Sequence, residues 1–241
     1  MDFNLEECSQ KSPRGLLFQA RVSELRPTQS GVGLDEVHAK AEAMSRKNKD
    51  DLSAFLLIRP VPVVIGNGGH LYLTDHHHLA RAVWEVAQNK NEAGLDESNA
   101  RVVVEVINNW SVLKDAHFWK AMHDNRWVYL FDAMGGGPLQ PAALPKHVKD
   151  LRNDPYRGLA WYVRSHFGYA KMPADFAEFQ WAQFFRTRMI LDNRLLSNQI
   201  EDVDILLSRM KAEERQALIE EAISLARSDE AAGLPGYSGR R

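Results

Sequence analysis

Leu71-Tyr72-Leu73-Thr74-Asp75-His76-His77-His78-Leu79-Ala80-Arg81-Ala82 is the stretch on which the fold turns. Residues 70–74 alternate in the manner of a short strand. From Leu79 onward the apolar residues Leu79, Val83, Trp84 and Ala87 recur at helical spacing. Asp75 stands between the two patterns, where a helix N-cap belongs. A strand is therefore expected to run into a helix through an acid and three histidines, with the helix starting within about two residues of His76. Just upstream, Val61-Pro62-Val63-Val64-Ile65 is β-branched, and Asn67-Gly68-Gly69 is a turn signal. Residues 61–65 and 70–74 should then pair as an antiparallel hairpin.

The same logic extends in both directions. Residues 16–22 read as a strand, ended by Pro27, and Gly31 and Gly33 punctuate a loop. A helical pattern over 34–57 is broken at Lys47-Asn48-Lys49-Asp50-Asp51, and residues 101–107 make a closing strand. Beyond Trp110 the chain becomes helical in character, with an aromatic-rich helix expected over 114–131. A loop at Gly135-Gly136-Gly137-Pro138 is followed by Asp154-Pro155, a cap and first-turn pair for a helix through Val163. Further helices are expected over 175–189 and between 198 and 226. The fold class is α/β of the α+β kind, divided into a flexible start (1–14), a compact domain (15–110), a helical domain (111–227) and a disordered tail (228–241).

A strand-to-helix junction of this kind is suited to phosphate, because the first-turn amides of a helix point outward and its dipole is positive there. Histidines in that turn add donors, and Asp75 can either cap the helix or hold a magnesium ion. Consecutive helical residues point about 100° apart, so His76, His77 and His78 cannot all ligate one ion, and a zinc centre is not expected. The plainer reading is that Asp75 only caps the helix while the histidines make local hydrogen bonds.

The 71–82 segment resembles the signature of the ParB/sulfiredoxin superfamily. Free-serine kinases of that superfamily carry Asp-Gly-His-His-Arg at this point, and ParB proteins carry Gly-x-Arg-Arg. The chain is still more similar to the group called putative ParB-like nucleases, which shares Leu25-Arg26-Pro27-Thr28-Gln29, Val32-Gly33 and Glu36-Val37-x-x-Lys40. The similarity continues at Asp154-Pro155-Tyr156-Arg157 and Phe176-Ala177-Glu178-Phe179-x-Trp181-Ala182. It implies a ParB/sulfiredoxin-like N-terminal module that binds a nucleoside triphosphate, ATP or CTP, with Mg2+. It also implies catalytic roles for Asp75, Glu36 and His77, and phosphate contacts from Lys40, His76, His77, His78 and Arg81, with Asp75 as the metal ligand. Two departures stand out: His76 replaces the kinase glycine, and Leu79 replaces the arginine, leaving Arg81 to supply the cation.

Other patterns carry less. Glu36 and Lys40 are spaced i, i+4, which a surface ion pair explains as well as a nucleotide-site role does. Asp-His-His also marks a class of metal-dependent phosphoesterases, but the Asp-x-Asp that class needs is missing, and Pro138 follows the glycines. No Gly-Lys-Ser/Thr follows them either, so they are no Walker loop. His117 and His123, six apart, face different sides of a helix. The aromatic residues between Trp161 and Phe185 sit at core spacing.

Composition sets the outer limits. Thirty Lys plus Arg against 32 Asp plus Glu leave a net charge of -2, without the basic excess of a dedicated DNA-gripping protein. Generic duplex binding should accordingly be weak, and no recognition helix rich in Arg and Lys is visible. The single cysteine, Cys8, allows no internal disulfide. The first residues lack the pattern of a signal peptide and no apolar run is long enough to span a bilayer, so a cytoplasmic protein is expected. The function expected is a nucleotide-binding protein, using the phosphate for transfer to a small-molecule acceptor or for hydrolysis. The competing expectation is a ParB-like DNA-partitioning, regulatory or nuclease module in which nucleotide only gates partner binding.

Overall fold

The computed structural model describes residues 1–191 and 205–239. It resolves into two compact units: Met1–Ser30, Val37–Asp132 and Gly136–Leu151 in the first, Gly31–Glu36, Ala133–Gly135 and Arg152–Arg241 in the second.

The first unit is built on a five-stranded mixed sheet. Its strands are β1 (Leu17–Arg21), β2 (Leu25–Pro27), β4 (Val61–Ile65), β5 (Leu71–Leu73) and β6 (Arg101–Asn109), in the spatial order β1-β6-β4-β5-β2. The valine-rich β4 and β6 lie centrally and pair in parallel, with Val61, Val63, Val104 and Val106 all fully buried. A strand covered on both faces reads as a continuous apolar run, which is what Val102-Val103-Val104 shows. As expected, β4 and β5 pair antiparallel, Val63 opposite Leu73 and Ile65 opposite Leu71. The turn between them holds Gly68 and Gly69 at φ 71° and 76°, a left-handed conformation that glycine adopts freely. Pro62 lacks an N–H, but its carbonyl accepts from Thr74 N–H at 3.0 Å, fastening the end of β5. Arg26 Nη2 lies 2.9 Å from His70 Nε2 at the start of β5. Residues 6–8 lie along the outer edge of β1: Cys8 N–H donates to Gln19 O at 2.8 Å and Gln19 N–H donates to Glu6 O at 2.9 Å.

Helices α1 (Leu34–Ser45) and α2 (Lys49–Leu57) are separated at the polar break, where the Asn48 side chain caps α2 by accepting from Asp51 N–H at 2.9 Å. Helix α3 (His77–Gln88) starts one residue past His76, as the sequence pattern implies. Helix α4 (Asp115–Asp124) is shorter than the expected 114–131. It stops at Asn125, and Arg126 takes φ 57°, which turns the chain out of the helix. The aromatic residues beyond it are used for packing rather than helix: Trp127 stacks on Trp110, centroids 5.4 Å apart, beside Tyr72 and buried Phe118.

The second unit is mainly helical. A short parallel pair, β3 (Gly31–Val32) with β7 (Arg152–Asn153), leads into α5 (Pro155–Ser165). The expected cap is present: Asp154 accepts from Tyr156 N–H at 3.0 Å and Arg157 N–H at 3.2 Å, with Pro155 in the first turn. Helices α6 (Ala177–Arg186) and α7 (Ala212–Ala226) complete a core around fully buried Trp181, Phe185, Leu159 and Val163. Trp181 Nε1 donates to Pro235 O at 2.8 Å, so the segment after α7 also packs. The part of the helical expectation over 198–204 lies outside the described residues. No helix among the described residues is long and apolar enough to cross a membrane.

Candidate functional site

The turn from β5 to α3 is pinned on three sides. Thr74 N–H is held by Pro62, and Thr28 Oγ1 donates to Leu73 O at 2.8 Å. Thr28 N–H donates to His77 Nε2 at 3.1 Å. An imidazole nitrogen that accepts an amide hydrogen must be unprotonated, so His77 is neutral with its proton on Nδ1. It is only 4% exposed. The sequence places His77 in catalysis and phosphate binding; the structure places its ring inward, tying α3 to the end of β2.

Asp75 and His76 stand differently from the expectation. Asp75 does not cap α3. Its Oδ1 accepts from the adjacent His76 N–H at 2.6 Å, and His76 is the N-cap residue, at φ 61° and ψ 25° with no side-chain cap bond. A left-handed non-glycine residue carries strain. The Nδ1 atom of His76 is buried and has no hydrogen-bond partner among the described residues, whereas Asp75 is exposed. His78 follows, half-buried in the first turn of α3. With His76 outside the helix and His77 turned into the interior, the three imidazoles share no common centre.

The Arg81 guanidinium is engaged within the protein. It pairs with Glu85 at 2.8 Å and Nη1 donates to Leu151 O at 3.0 Å, with Lys149 O and Val148 O also in reach. It is 9% exposed and its ring-like plane lies over Trp84 at 4.9 Å. These carbonyls and the carboxylate engage Nε, Nη1 and Nη2, so Arg81 joins α3 to the 148–151 segment. Lys40 is half-buried on α1. Glu36 is 5% exposed and lies 3.6 Å from Arg164 in the second unit, so it is no member of a surface ion pair.

Thr28 is the residue whose role the sequence reading missed. Its signal lies in the Leu25-Arg26-Pro27-Thr28-Gln29 pattern, where two polar residues follow a strand and are nonetheless buried, Thr28 at 1% and Gln29 at 7% exposure. For magnesium, the candidate in this unit is Asp75, one carboxylate with Oδ1 already committed to an amide. Magnesium commonly takes only one or two protein carboxylates and completes its shell with water and substrate phosphates, so the donor set fits an ion that arrives with phosphate.

Comparison with known proteins gives three findings. A family model described as "Putative ParB-like nuclease" matches residues 18–187. The crystal structure of protein Atu1540 from Agrobacterium tumefaciens is similar at 34% identity and a TM-score of 0.71, over 95% of this chain and 100% of that one. No curated protein matches.

Proposed function

Because the chain belongs to the family described as putative ParB-like nucleases, matched over residues 18–187, we propose that it is a ParB-like module that takes up a phosphate group at turn 74–78 and uses it to gate the binding of a partner. The observation that carries this reading is His76: a strained N-cap whose buried Nδ1 has no acceptor or donor among the described residues, at the start of a helix with no side-chain cap bond. Strain of about 1–3 kcal/mol survives where the surroundings over-determine it, and binding turns are where it collects. The phosphate belongs to a nucleoside triphosphate rather than to generic duplex DNA, since a net charge of -2 releases few counterions.

A second reading, phosphate transfer or hydrolysis, is favoured by one feature. Asp75 is exposed and only its Oδ1 is bonded, so Oδ2 is left to hold magnesium brought in with the phosphates. Magnesium bound there supplies charge neutralisation on the phosphate oxygens. His76 then donates from Nδ1 to a phosphate oxygen, and His77 keeps the turn in place.

Thermal denaturation with ATP, CTP and a short single-stranded DNA, each with and without magnesium, tests the proposal. A ligand at about 100 times its Kd stabilises by about 2.7 kcal/mol, a rise of roughly 5–10 °C at this chain length. The gating reading expects such a rise without turnover. The catalytic reading expects the rise together with phosphate release that Asp75→Asn abolishes. No rise with any of the ligands refutes both.

A further inference from the structure

The second unit contains a compact arrangement of charged side chains on α5 and α6. Arg157 and Arg164 both project from α5, and a separation of seven residues, two helical turns, puts them on one face. Both guanidiniums reach the same carboxylate, that of Glu178 in the first turn of α6. Arg157 Nη2 donates to Oε2 at 2.8 Å, and Arg164 Nη1 donates to Oε1. Arg164 Nη2 also lies 3.6 Å from Glu36 Oε1, so two cations meet two anions.

Burial within this group is uneven. The side chains of Arg157, Glu36 and Arg164 are 4%, 6% and 17% exposed, whereas that of Glu178 is 31% exposed. A buried guanidinium cannot shed its proton, so it requires an oxyanion. Here the carboxylate that accepts from both guanidiniums is the most solvent-accessible of the four side chains. It is also carried on a helix start under strain: Phe176, the N-cap of α6, has φ 55° and no side-chain cap bond. Phe179 lies under Arg157 with the guanidinium 3.9 Å from the ring centroid, which holds the plane of that fork.

We propose that Arg157 and Arg164 form a binding clamp for a singly charged oxyanion group of a ligand, a phosphodiester or a carboxylate, and that Glu178 is its internal competitor. Charge selects a single negative charge, because exchanging the Glu178 carboxylate for a monoanion leaves the local charge unchanged. Geometry selects two oxygens, one for each fork, as Glu178 now presents them. Entry of the ligand releases Glu178 and with it the first turn of α6. The rest of that helix is anchored by Trp181 and Phe185, both 0% exposed, so the change stays local.

The test uses calorimetric titration of the full chain with dimethyl phosphate and with acetate, at constant ionic strength. A competitor on the same chain acts at an effective concentration of about millimolar or above. Glu178→Gln, which keeps the shape and removes the charge, is therefore expected to bind one of the two probes at least about tenfold more tightly than the wild type. The probe that gains identifies the group as phosphate ester or carboxylate. Adding Arg164→Gln to Glu178→Gln should erase the gain. Should that double variant not fold, hydrogen exchange on the wild type decides: amides 177–179 exchange faster at saturating probe. A gain below twofold for both probes, a gain that survives loss of Arg164, or unchanged exchange at 177–179 overturns the proposal.

Discussion

His76→Gly should make the protein more stable. The residue sits at φ 61°, a conformation that costs an L-residue roughly 1 kcal/mol and costs glycine nothing. Removing the imidazole also removes a buried nitrogen without a partner among the described residues, worth about another 1 kcal/mol. Against this stands the loss of the half-buried ring's packing and the extra freedom of glycine in the unfolded chain, together about 1 kcal/mol. The Asp75–His76 N–H bond is made by the backbone and survives the change. The net is a gain of about 1 kcal/mol, or about 2–4 °C in Tm. His76→Ala is the decisive companion, since alanine removes the ring yet keeps the strain; after the extra unfolded-state freedom of glycine is set against that strain, it should fall about 0.5 kcal/mol below the glycine variant. Urea unfolding of the three proteins in parallel measures both differences. If glycine is no better than alanine, the turn is not strained and the argument for stored strain at the site collapses. If glycine is the more stable variant but loses nucleotide-dependent stabilisation, the imidazole is kept for the ligand.

Three further outcomes follow from the same contacts. Arg81→Ala strips three carbonyls and Glu85 of their buried partner, and should cost about 3–5 kcal/mol in denaturant unfolding while leaving ligand affinity of the folded fraction unchanged; selective loss of binding would return Arg81 to the site. Gly33→Ala would drive a Cβ to 2.7 Å from Gly158 N, backbone against backbone, and should cost about 1–3 kcal/mol by thermal unfolding; a neutral result would mean that the two segments part freely. Burial, and then the Arg26 charge, lower the His70 pKa below its ordinary 6.5, so the unfolded chain binds the proton more readily than the folded one. Stability from this residue is therefore lost as pH falls below 6.5, and an NMR titration should place His70 below that value and move it upward in Arg26→Gln.

Strand and helix periodicity exposed most of the first unit: the β4–β5 hairpin, the break between α1 and α2 and the start of α3 all follow from local pattern. Local chemistry also announced the Asp154-Pro155 cap. What stayed hidden depends on direction rather than identity. Three adjacent histidines look alike in sequence, yet a left-handed residue at His76 turns one ring aside and sends the next inward to Thr28. Nothing in the spacing reveals positive φ at a non-glycine position. The contacts of Arg81 are hidden for a similar reason, because its carbonyl partners lie about seventy residues away, at Val148, Lys149 and Leu151. The end of α4 was overrun because aromatic residues suit a helix and a packed loop equally well.

The short run laid along β1 has a further consequence. An outer strand of a sheet displays a row of amides and carbonyls that any other extended chain can use as a template, and the result is stacking between molecules. Gln19 sits in the middle of that row, and both its backbone groups are already taken by Glu6 and Cys8. Leu16 and Leu17, 54% and 43% exposed, flank the same margin and would make it adhesive if it were uncovered. Residues 6–8 thus act as a sacrificial neighbour that belongs to the same molecule. Preparations that begin after Cys8 should sediment as assemblies in proportion to concentration, while those that keep it should not.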